Sequence, residues 1–66
     1  MQIPEFMAQS GDMVRSIFAP EDPPLLVIET YRVMHGGYNK PKWYYVLLLE
    51  YGEVVRVSQT NWERVD

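Results

Sequence analysis

The sequence predicts an all-β fold, a small barrel of five strands behind an N-terminal arm, and three observations carry the prediction. Trp43–Leu49 and Glu53–Ser58 are β-rich runs either side of Tyr51-Gly52, the spacing of a tight antiparallel hairpin. Leu25–Met34 is a β-rich run long enough for one bent strand to serve two sheets. Gln59-Thr60-Asn61 is short and polar, fit for a single 3-10 turn before a last strand, Trp62–Val65.

In chain order, Met1–Ser10 has no period of two. Ile3, Phe6 and Met7 fall at helical spacing after Pro4, so the segment is a helical turn or an arm lying against its own barrel or a neighbour. The domain proper is expected over Gly11–Asp66. Met13–Phe18 reads as a first strand, with Val14 and Phe18 on one side and Met13, Arg15 and Ile17 on the other. Ala19–Pro24 holds three prolines and two carboxylates, which makes a stiff, acidic loop. Leu25–Met34 is apolar on both parities, so it is central or switches faces, and Glu29-Thr30 is the expected bend. His35–Lys42, with adjacent glycines, Asn and Pro, is a loop that carries the one positive spot of the chain.

Composition narrows the function classes. Sixty-six residues make one domain near the lower limit at which a core holds without staples, and the absence of cysteine removes disulfides and thiolate metal ligands together. Such chains often lean on oligomerisation or docking. The apolar share of 47% argues for folding, and 14% aromatic is generous at this size. A net charge of −3 lacks the basic footprint of nucleic-acid binding. The longest aliphatic run, Val46–Leu49, is too short to cross a bilayer, and the N-terminus lacks signal-peptide character, so a soluble protein made and used in the cytosol is expected.

The order of elements is strand, long loop, long strand, loop, strand, tight turn, strand, one-turn connector, short strand. Together with Gly11-Asp12-Met13-Val14-Arg15, Leu26-Val27-Ile28-Glu29, Tyr45-Val46-Leu47 with Gly52, and Val57-Ser58 before Trp62-Glu63-Arg64-Val65, this resembles the small Src-homology-3-like (SH3-like) barrel proteins encoded by tailed bacteriophages. The resemblance runs from Gly11 to Asp66 and leaves the arm outside. It implies a non-enzymatic small protein, some relatives being virion components. The proline-rich first loop and the aliphatic Leu47-Leu48-Leu49 depart from that family's usual pattern.

The hairpin's first arm is the best functional signal. If Tyr44, Val46 and Leu48 fill the core, then Trp43, Tyr45, Leu47, Leu49 and Tyr51 point outward; the opposite register swaps the sets but still leaves a large apolar ladder needing cover. Either Met1–Ser10 covers it or a partner does, and the partner is the preferred reading. The expected protein-binding residues are therefore Ile3, Phe6, Met7, Trp43, Tyr45, Leu47, Leu49 and Tyr51. Serine substitution of Leu47 and Leu49 is expected to leave a folded monomer if they face out, and removal of Met1–Ser10 is expected to spare the fold. Unprotected strand edges favour association independently.

Other sites read more weakly. Tyr31, Tyr38, Trp43, Tyr44, Tyr45 and Tyr51 beside an acidic first loop match a polyproline groove only superficially, because that loop is stiffened by its own prolines. His35 with Lys40 and Lys42 reads as a solvated tip rather than a phosphate loop. One His and no Cys cannot build a metal site, and Ser10, Ser16, Ser58, Thr30 and Thr60 share only that His as base, so neither enzyme chemistry nor a cofactor is expected. Trp62 is expected in the core.

The expected function is protein–protein interaction as a phage structural or accessory component of the cement or adaptor type, its partner being copies of itself or other virion proteins. Two alternatives stand: a phage inhibitor that occupies a basic host-enzyme site with Glu21, Asp22, Glu50 and Glu53, and a nucleic-acid-binding barrel.

Overall fold

Five strands form one antiparallel sheet: β1 (Met13–Ser16), β2 (Leu25–Met34), β3 (Pro41–Leu48), β4 (Val54–Ser58) and β5 (Trp62–Val65), in the order β4-β3-β2-β1-β5. The computed structural model describes residues 3–34 and 41–65. The expected all-β class is found, with 3-10 turns at Glu50–Gly52 and Gln59–Asn61. The sheet is open, with β4 and β5 as its two edges.

The strand limits follow local chemistry. β3 includes Pro41 and Lys42 ahead of the expected Trp43, Pro41 being the residue at which the described chain resumes. β1 stops at Ser16, where its partner β5 runs out at Trp62. Ile17 instead donates its N–H to the Asn61 carbonyl at 3.1 Å. Phe18 is 77% exposed, so the reading that put it beside Val14 in a longer strand is corrected. The hairpin closes where Leu49 N–H donates to the Glu53 carbonyl at 2.7 Å, and Tyr51 and Gly52 both turn with positive φ, 69° and 81°.

β2 switches faces as expected, slightly earlier than Glu29-Thr30. Val27 faces Leu47 and Glu29 faces Val46, so Ile28 is an extra residue, a bulge. Before it, Leu25 and Val27 point to the inner face; beyond it, Thr30 opposite Tyr45 and Arg32 opposite Trp43 do so. One bulge thus lets a strand that is apolar on both parities serve a single core.

That core is Met7, Ala8, Val14, Val27, Tyr45 and Leu47, with Ile3, Leu25, Trp43, Val57 and Trp62 packed against it. Trp62, expected in the core, is half-buried and packs against it. Two core members, Met7 and Ala8, come from the N-terminal segment, so the inner face of the sheet is covered by the chain's own beginning.

Candidate interaction surface

The N-terminal segment is fixed by its backbone as much as by its side chains. After Pro4 a single turn forms, Met7 N–H donating to the Pro4 carbonyl at 3.0 Å. Ala8 N–H then donates to the Tyr45 hydroxyl at 3.1 Å, and Thr30 Oγ1 donates to the Ala8 carbonyl at 2.8 Å. Arg64 Nη1 donates to the Glu5 carbonyl at 3.1 Å. These partners sit on β3, β2 and β5, so the segment is tied to strands from both halves of the sheet. Buried backbone groups must find partners, and here two polar tips on the inner face supply them.

The expected protein-binding residues divide accordingly. Met7, Tyr45 and Leu47 are fully buried, and Ile3 and Trp43 pack against the core. The register with Trp43, Tyr45 and Leu47 outward is therefore corrected: this set faces inward, and its cover is the N-terminal segment, the other option the sequence left open. Removing that segment would strip two core residues, so the expectation that the fold survives its loss is also reversed. Phe6, 72% exposed, and Tyr51, 97% exposed, do face solvent, and Leu49 is half-buried beyond the end of β3. The loop tip with His35, Tyr38 and Lys40 lies outside the described residues.

The other parity makes the outer face. Cross-strand register lines up Val65, Met13, Leu26, Leu48 and Val54 as one apolar row across all five strands. Met13 and Val54 are exposed, Val54 at 58%, while Leu26, Leu48 and Val65 are half-buried. The next rows along β3 are Glu29–Val46–Arg56 and Tyr31–Tyr44–Ser58, whose two tyrosine rings stack with centroids 5.5 Å apart. Ile28 adds an exposed apolar side chain at the bulge. The surface left open is thus Met13, Leu26, Leu48, Val54 and Val65, none of them among the expected contact residues.

A signal for this was present in β4. Val55 and Val57 are apolar while Arg56 and Ser58 are polar, so the odd positions belong inside. Closing the hairpin at Leu49 and Glu53 sets Leu47 opposite Val55 and Tyr45 opposite Val57, which forces β3 to the same parity.

Chemical groups are sparse. Among the described residues no three of His, Cys, Asp and Glu gather as a metal site. Arg32 lies over the Trp43 ring at 6.0 Å, and Glu21, Asp22, Glu50 and Glu53 are exposed. Among the described residues no helix is long and apolar enough to cross a membrane. Comparison with family models, curated proteins and solved structures finds no match.

Proposed function

We propose that this chain is a non-enzymatic protein–protein interaction module, an SH3-like small barrel that serves as a structural or accessory component of a tailed-phage virion. On this reading it docks on further copies of itself through the outer face of its sheet. The observation that carries the docking is the apolar row Val65–Met13–Leu26–Leu48–Val54, on the face opposite the N-terminal segment. The strand order and the one-turn connector before β5 support the barrel; the order and spacing of Gly11–Arg15, Tyr45–Leu47, Gly52 and Trp62–Val65 support the phage source.

A second copy is the occupant that size favours. A second copy carries the same apolar row, so two outer faces meeting across a two-fold axis match each other in chemistry. A chain of 66 residues without cysteine also gains most from burying a second apolar face against itself.

The test is solution mass by light scattering over a wide concentration range, for the native chain and for a Met13→Glu, Val54→Glu double variant. Self-docking predicts a defined oligomer that the variant abolishes while remaining folded. A monomer at every concentration would remove the self-docking reading, and failure to find the chain in purified particles by mass spectrometry would remove the virion role.

A further inference from the structure

The inner face is closed by the N-terminal segment but stays open where the first loop meets the hairpin turn. There Ser16, Asp22, Pro23, Leu25, Leu49, Glu50 and Trp62 line a cavity of about 230 Å³ that is open to solvent on one side. Trp62 and Leu25 also pack against the core, so the cavity has a fixed floor. The loop and the turn that form its rim are set by Asp22 N–H donating to the Ala19 carbonyl at 3.0 Å and by the Leu49–Glu53 closure.

We propose that this cavity binds the side chain of one arginine or lysine presented by a partner protein. The volume lies below the range of about 300–1,000 Å³ for whole small-molecule ligands and suits a single long side chain. The walls, Trp62, Leu25, Leu49 and Pro23, match an aliphatic stem, and the indole adds an aromatic face that favours a cation. The rim carries two carboxylates, Asp22 and Glu50, exposed and without an ion-pair partner among the described residues. Ser16 Oγ accepts the Phe18 N–H at 3.2 Å, and no lining residue is cationic. A mainly apolar lining with two exposed carboxylates is complementary to a cationic head on an apolar stem. It is separate from the outer face of the sheet and does not rest on self-docking. It also lies past the end of β3, away from Trp43 near that strand's start.

The test titrates blocked tripeptides Gly-Arg-Gly and Gly-Lys-Gly into the full chain, with citrulline and norleucine in the central position as neutral counterparts. The readout is the Trp62 indole N–H resonance, identified by its loss in Trp62→Phe, with the Trp43 indole as internal control. The cationic peptides should shift Trp62 saturably and leave Trp43 in place, and the neutral peptides should bind about tenfold more weakly. An Asp22→Asn, Glu50→Gln variant, whose thermal unfolding checks the fold, should bind the cationic peptides no better than the neutral ones, and added salt should weaken the native interaction. Equal binding of the norleucine peptide would make the cavity merely apolar and overturn the proposal. So would cationic binding that survives loss of both carboxylates, or no saturable shift of Trp62.

Discussion

Replacing Tyr45 with Phe removes one oxygen and keeps the ring that fills the core. The oxygen matters because it accepts the Ala8 N–H at 3.1 Å, and both Ala8 and Tyr45 are buried. Without it that buried donor loses its partner, which costs about 1–3 kcal/mol. A chain of 66 residues holds about 3–10 kcal/mol in all, so one atom carries a large share of the stability. The unfolding midpoint should fall by about 4–8 °C for each kcal/mol lost. Thermal or urea unfolding measures the total, and hydrogen exchange at Ala8 locates it, because the exchange rate there should rise more than at Val27 or Leu47 in the middle of the sheet. An unchanged midpoint with unchanged exchange at Ala8 would refute the reasoning that the N-terminal segment is held through this contact.

Three further outcomes follow from the same packing. Leu47→Ser places a hydroxyl and a void in the buried centre of β3 and should cost at least about 3 kcal/mol, read as loss of cooperative unfolding, whereas Leu49→Ser at the half-buried strand end should cost less than about 1.5 kcal/mol. Removing Met1–Ser10 takes Met7 and Ala8 from the core and should leave a chain without a sharp thermal transition; retention of the native midpoint would show that the sheet closes its inner face by itself. Gly52→Ala adds a side chain where φ is +81° though nothing lies within 4 Å, so its cost of about 1 kcal/mol is conformational alone and should appear in urea midpoints with the native slope unchanged.

Much of the fold was legible because it rests on short-range chemistry. The start of β2, the one-turn connector at Gln59–Asn61 and the start of β5 follow from turn-forming and β-branched residues in sequence. The face switch in β2 was readable from its double parity, and only the position of the extra residue, Ile28, was displaced. The orientation of β3 was harder, since Trp43, Tyr45, Leu47 and Tyr44, Val46, Leu48 are both apolar sets and alternation alone does not choose between them. Two facts outside the strand choose: the parity of β4 across the hairpin, which the sequence carries, and the long-range need of the Ala8 backbone for the Tyr45 hydroxyl. Neither the contact of Met7 with the sheet nor the alignment of Met13, Leu26, Leu48, Val54 and Val65 is local, because each row member comes from a different strand. The cavity around Trp62 was hidden for the same reason, its lining being drawn from β1, the first loop, β2, the hairpin turn and β5.

Docking of copies through the outer apolar row, with the inner face satisfied within the chain, would make the mass in solution depend on Met13 and Val54. Light scattering of the purified native chain beside the Met13→Glu, Val54→Glu variant reads that dependence. The native chain should form a defined oligomer and the variant a monomer that still unfolds cooperatively, since both substituted side chains are exposed. Equal masses for the two chains, whether both monomeric or both assembled, would contradict it.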